Sequence, residues 1–148
     1  MIGRLDDFLR EVAHDNQAAV SESDIRLSGL AVTKRAYQIY QERSYDAVLL
    51  VAALRGAYHL TELVGAGVVM SIHPSWQGPF VTQDFPREER IHQPVPPEVV
   101  ERLSQLPEFE RAYEPDGMAP ADFIGFGATQ RTLSQFSEVG WKLMENYR

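Results

Sequence analysis

Cysteine is absent from the 148 residues. That excludes a disulfide framework, a thiolate nucleophile and any Cys-ligated metal. Lysine is nearly absent: Lys34 and Lys142 are the only two, so few side chains are available for chemistry through an amine. No apolar run is long enough to span a membrane, and no basic-then-apolar signal segment opens the chain. The expected compartment is therefore the cytoplasm. Positive charge is in deficit, with a formal net charge of −7. This argues against nucleic-acid and membrane partners but leaves room for one local anion pocket. The four histidines, His14, His59, His73 and His92, lack ligand spacing, so no metal is expected. Gly-x-Gly-x-x-Gly and Walker loops are missing, and no cofactor is expected.

What remains is ordinary for one soluble domain: 44% hydrophobic and 24% charged residues. The most patterned stretch is "DAVLLVAALRGAYHLTELVGAGVVMSIHP", Asp46 to Pro74. "DAVLLVAAL" and "GVVMSI" are short continuous apolar runs, the pattern of strands buried on both faces of a parallel sheet. "GAYHLTELVGA" between them fits a helix stopped by Gly65 and Gly67. Together they predict a right-handed βαβ unit with Arg55 at the first strand's end.

Upstream, Met1-Ile2 reads as the last residues of a strand and Gly3-Arg4 as its turn, with a short helix from about Asp6. "SESDIRLSGLAVTKRAYQIYQERS" predicts a longer helix. Ser23 or Asp24 caps it, and Ile25, Gly29, Val32, Ala36 and Ile39 form its buried line. Residues 75–97 are rich in proline and polar side chains and predict an ordered loop with one helical turn at Pro86 to Arg90. Residues 98–148 predict helices, the first beginning at Pro96-Pro97. In the last, Phe126, Thr129, Leu133, Phe136, Gly140 and Leu143 or Met144 make the buried stripe. Gly125 and Gly127 weaken its start. Residues 1–74 thus hold the β/α units of a single domain.

Two or three strands of this kind cannot bury both faces and both edges with these helices. Burial is worth roughly 25 cal/mol per Å², and open edges invite pairing. The sequence therefore predicts association, either self-association through exchanged or paired sheets or a partner chain supplying strands. The alternative is that the C-terminal helices fold across the open face.

Several stretches are similar to transaldolases. "GRLDDFLREV" resembles the segment after barrel strand six, where a Gly-Arg pair opens the loop. "YDAVLLVAALRGAYHLTELVGAGVVMSIHP" resembles strand seven, its helix and strand eight. "LPEFERAYEPDGMAPADFIGFGATQRTLSQF" is similar to the C-terminal helices of a bacterial transaldolase-like branch. The resemblance implies the last part of a (β/α)8 TIM barrel, a fold that takes about 250 residues when complete. The expected fold class is a partial barrel of about two to three parallel strands with flanking helices and a helix-rich C-terminal half.

Transaldolases move a dihydroxyacetone unit between sugar phosphates through a lysine Schiff base on strand four, assisted by carboxylates on strands one and three. The resemblance places none of these here, so no catalytic residue is expected. Lys34 falls on the helix before strand seven and Lys142 near the end of the last helix. What the resemblance does imply is phosphate binding by Arg4, Arg55 and Gly56, with two guanidinium forks and the N–H groups opening the next helix. Ala53 stands where the family usually has a serine hydroxyl. Ser71 and His73, at the next strand's end, become candidate substrate contacts, His73 as a general acid or sugar-hydroxyl partner.

Each candidate has a plainer reading. Arg55 is a surface arginine paired with an Asp or Glu, Arg4 pairs with Asp6 or Asp7, and His73 is a structural hydrogen-bonding residue. His59 is half-buried packing. Glu88 and Glu89 beside Arg87 and Arg90 read as a solvated charge cluster. Trp76, Phe80 and Phe85 either lid a ligand or anchor the loop, and anchoring is favoured. Two functions follow: a phosphosugar-binding half-barrel inactive by itself, or a non-enzymatic module that assembles through open sheet edges. A third reading makes the chain a piece of a longer product.

Overall fold

The computed structural model describes residues 1–65 and 67–147. It is a helix-rich mixed α/β fold with two short parallel strands. The chain begins with α1 (Ile2–Asp15), a one-turn α2 (Glu22–Ile25) and α3 (Ser28–Glu42). Then come β1 (Leu50–Ala52), α4 (Ala57–Thr61), β2 (Val69–Ser71) and α5 (Pro74–Thr82). The remainder is α6 (Pro97–Leu103), α7 (Pro107–Tyr113), a 3-10 turn (Pro120–Gly125), α8 (Gly127–Ser134), a π-wound segment (Gln135–Trp141) and α9 (Lys142–Glu145).

The expected strand end at Met1-Ile2 is instead the start of α1, and Arg4 lies in its first turn rather than on a loop. The cause is periodicity: Ile2, Asp6, Leu9 and Ala13 recur at steps of four and three, and all are buried. α1 packs along α3. The predicted single helix through 23–43 is broken at Arg26-Leu27 into α2 and α3. Ser21, not Ser23 or Asp24, is the cap; its hydroxyl accepts the Asp24 N–H. Ile25 and Gly29 are buried as expected, but the line then runs through Leu30, Ala31, Lys34 and Tyr37. Val32, Ala36 and Ile39 are only half-buried. Gly29 is required by close approach: a Cβ there would stand 2.5 Å from the Ile2 carbonyl oxygen.

The strands are shorter than their apolar runs. Leu50 pairs with Val69, Val51 with Met70 and Ala52 with Ser71. Val51 is buried, whereas Val48, Leu50 and Val69 are 61%, 62% and 53% exposed. Burial on both faces, expected from the sequence, is therefore not met. Helices cover one face of the sheet, and among the described residues the side chains on the other, Leu50 and Val69, are left exposed. Each such side chain forgoes about 1–2 kcal/mol of burial.

Within 75–97, the expected turn at Pro86 to Arg90 is absent, and the helix lies earlier, in α5. Pro74 opens α5; Trp76 stacks on Phe80, and Phe85 meets Phe80 edge to face, both at centroid distances of 5.8 Å. Ile91 and Val95 are buried and fasten the later part of the segment. α6 begins at Pro97, as expected, and α7 also starts on proline; Val99 and Leu103 of α6, Phe109 of α7 and Leu106 between them are buried. The predicted C-terminal stripe is corrected beyond Phe126: Phe126 is buried, but Leu133, Phe136, Leu143 and Met144 are exposed. Among the described residues, no helix is long and apolar enough to cross a membrane.

Candidate functional site

The corner at the carboxyl end of β1 is built by two backbone features. Ala53 adopts φ of 62°, the left-handed region that non-glycine residues seldom occupy. Its carbonyl accepts the Gly3 N–H at 3.1 Å. A Cβ on Gly3 would stand 2.3 Å from that oxygen and 2.5 Å from Cγ of Arg55, so only glycine fits. The start of α1 and the end of β1 are thereby pressed together. Leu54 is buried beneath the corner, and Arg55 emerges from it.

Arg55 donates from Nε to Asp7 Oδ2 at 2.9 Å and from Nη1 to the Ala53 carbonyl at 3.1 Å. Asp7 also accepts from Arg10 at 3.0 Å. Burial pushes the Asp7 carboxyl up, but the Arg55 and Arg10 guanidiniums together outweigh it and hold the group below its ordinary value. The plainer reading of Arg55 as a paired arginine thus describes its present contacts. Arg4 turns elsewhere. It donates to the Gln135 side-chain carbonyl, and its guanidinium lies 5.5 Å from the Phe136 ring centre. Its Nε is buried and has no partner among the described residues. Arg4, Asp7, Glu11 and Arg131 line a cavity of about 300 Å³. Asp7 thus faces this cavity and also holds Arg55.

Gly56 precedes α4, but α4 has five residues. The N–H donors expected there bring little dipole with them, since the macrodipole grows from aligned peptides. The Arg55 N–H is already used, donating to His59 Nδ1 at 3.1 Å. Ser71 ends β2 and is exposed. His73 is exposed and caps α5: its Nδ1 lies 2.8 Å from Ser75 Oγ and accepts the Ser75 N–H at 3.3 Å. Among the described residues, neither Ser71 nor His73 hydrogen-bonds to Arg4 or Arg55. Glu89 lies against Gly65, and Glu88 stands 3.4 Å from Arg90.

Two buried polar clusters were missed in the sequence. His59, expected half-buried, is fully buried, and its Nε2 lies 3.1 Å from Oδ2 of the equally buried Asp6. The separation suits a hydrogen bond but the direction does not, since neither atom has a well-aligned partner. The contact is electrostatic. Because Nδ1 accepts from Arg55, the ring proton sits on Nε2, facing the carboxylate. Asp6 Oδ1 accepts the Ser28 hydroxyl at 2.9 Å and the Gly29 N–H at 2.7 Å. The signal was present: Asp6 lies in the buried phase of α1, and the glycine at 29 marks where α3 comes closest.

The second cluster is Lys34. Its side chain is 6% exposed, and Nζ donates to Glu62 Oε2 at 3.0 Å and to the carbonyls of Arg90 and Gln93 at 3.1 and 2.8 Å. All three ammonium protons are used. Lys142 sits exposed on the C-terminal helical segment. Among the described residues, no group of three His, Asp or Glu side chains is placed to hold a metal ion.

No family model, curated protein or solved structure matches the chain.

Proposed function

We propose that this chain is a transaldolase-like section of a (β/α)8 barrel, one that holds the phosphate of a sugar phosphate when further parallel strands extend its sheet. The observation that supports this best is the Gly3 N–H bond to the Ala53 carbonyl. It brings the Gly-Arg pair of α1 and the strand-end Arg55 to one corner, at the carboxyl end of a parallel strand. Substrates bind at that end of parallel α/β sheets. The exposed Leu50 and Val69, with Val51 turned inward, fit a barrel's inner face that other strands would fill.

Phosphate would take Arg55 from Asp7, and Asp7 would keep Arg10 as its partner. The exchange trades one oxyanion for another and leaves no buried charge unpaired. The chain by itself carries no Schiff-base nucleophile in this reading. Lys34 is fully hydrogen-bonded, and catalysis would require a chain bearing strands one to five and their lysine.

The test is a titration with fructose 6-phosphate and with inorganic phosphate, followed by amide and guanidinium NMR shifts. Shifts should concentrate at Gly3, Arg55 and Gly56. Arg55→Ala should weaken binding by about 1.5–3 kcal/mol, the range for hydrogen bonds to charged groups. Unmoved resonances at this corner would remove the phosphate reading. A borohydride-trapped adduct on the lone chain would overturn the assignment of no nucleophile.

A second reading, a non-enzymatic assembly module, is favoured by the present engagement of both arginines, Arg55 by Asp7 and Arg4 by Gln135 and Phe136. It predicts no phosphosugar response, and an association through the sheet that Leu50→Lys abolishes.

A further inference from the structure

The C-terminal segment carries an apolar stripe that the fold leaves more than half uncovered. α8, the π-wound segment and α9 run on as one helical arm. From Leu133 to Tyr147 every residue is exposed, with Phe136 at 57%, Leu143 at 72% and Met144 at 69%. Leu133, Phe136, Gly140, Leu143, Met144 and Tyr147 recur at the steps of one α-helical face, while Glu138, Lys142 and Glu145 fall on the opposite side. A lone helix of about 12–15 residues is marginal in water, so such an arm gains its stability from a partner.

The order of residues in the arm indicates which partner. Counted outward from Gly140, Phe136 mirrors Met144 and Leu133 lies opposite Tyr147 in an antiparallel pair. Two arms crossing about a two-fold axis at Gly140 would set an aromatic ring against an aliphatic side chain at each of these positions. The residue without a side chain would sit where the backbones are closest. A Cβ at Gly140 meets nothing in the lone chain. The seam holds no charge, which matters for a chain of net charge −7, whose copies repel elsewhere. The uncovered side chains amount to about 600 Å² per copy, or roughly 1,200 Å² in a pair, the lower end of a standard interface.

We propose that residues 133–147 form a homodimerisation arm whose partner is the same arm of a second copy, antiparallel and crossing at Gly140. The π winding of Gln135–Trp141 turns the stripe out of line in the lone chain, and seating on the partner draws it into one regular face. This contact is separate from the open sheet and meets the arginine corner only through Arg4, whose guanidinium lies over the Phe136 ring.

The absence of cysteine gives a direct test. Gly140→Cys introduces the only thiol, at the two-fold axis, and mild oxidation should convert most of the chain to a covalent dimer. Gly78→Cys, at another open glycine, should not cross-link comparably. In sedimentation equilibrium the unaltered chain should be dimeric at about 100 µM. Phe136→Glu, at an exposed position, should raise Kd at least about tenfold, and Leu50→Lys should leave it unchanged. A monomeric unaltered chain, a dimer indifferent to Phe136→Glu, or equal cross-linking by the two cysteine variants would each overturn the proposal.

Discussion

Lys34→Met removes one buried ammonium and little else. Methionine keeps the length and apolar bulk of the stem, so packing is largely preserved and the change removes the ammonium. Glu62 retains a partner, because Arg90 Nη1 donates to its other oxygen at 3.0 Å. The carbonyls of Arg90 and Gln93 lose their lysine donor, but the Arg90 carbonyl keeps the Gln93 N–H at 3.0 Å, and Gln93 is exposed, so water reaches its carbonyl. Neither group is orphaned, and the cost is that of lost hydrogen bonds to a charged donor, about 1.5–3 kcal/mol. For a domain with about 5–15 kcal/mol of total stability, this is a sizeable fraction. At about 3 °C per kcal/mol for a chain of this size, Tm should fall by roughly 6 °C. Urea unfolding should show a lower midpoint with unchanged slope. Hydrogen exchange should locate the effect: the Arg90 and Ile91 amides, both bonded to the Val64 carbonyl, should lose protection ahead of α1 and α3. A loss below about 1 kcal/mol, with those amides unchanged, would show that Lys34 is not the bolt between α3 and the 84–96 segment.

Other outcomes follow from the same contacts. Asp6→Ala should cost about 3–5 kcal/mol in urea unfolding, because it strips the acceptor from Ser28 and Gly29 and removes the carboxylate facing His59, whereas Asp6→Asn, which keeps an oxygen for Ser28 and Gly29, should cost less. Equal losses would mean the hydrogen bonds are unimportant beside the charge. Gly3→Ala should separate α1 from the end of β1, costing about 1–3 kcal/mol as overpacking does, and should expose the Gly3 amide to exchange; full protection would contradict the close approach. Arg102 hydrogen-bonds Asp24 at 2.8 and 2.9 Å and holds its carboxyl at about 2, against an ordinary value of 3.8, with Ser21 helping and burial opposing. A depressed carboxylate stabilises the fold fully above its unfolded value, and that contribution is lost as pH falls through the folded one. The stability gap between the unaltered chain and Arg102→Ala should therefore be constant from pH 7 to about 4 and close as pH approaches 2. A gap that persists unchanged in acid would exclude this ion pair as its source.

The helices were legible where proline marks a first turn, as in α6. They were misread where two signals competed. Met1-Ile2 looked like a strand stub beside a Gly-Arg turn, yet Ile2, Asp6, Leu9 and Ala13 share one helical phase, and burial against α3 decided it. Arg55 was correctly placed after a strand, but its engagement by Asp7 depends on α1 lying across that strand end. The buried Asp6–His59 contact joins residues 53 positions apart, and Lys34 finds acceptors 56 and 59 positions away. No local pattern announces such partners.

The sequence by itself determined the alternation of helix and strand, the absence of thiol chemistry, and the apolar stripes, because these depend on residue type and on spacing along the chain. Only the tertiary structure decided which stripes are covered. Leu9 and Phe109 are fully enclosed, while Leu50, Phe136 and Met144 are exposed, since burial belongs to pairs of surfaces and depends on which elements the fold lays over each side chain.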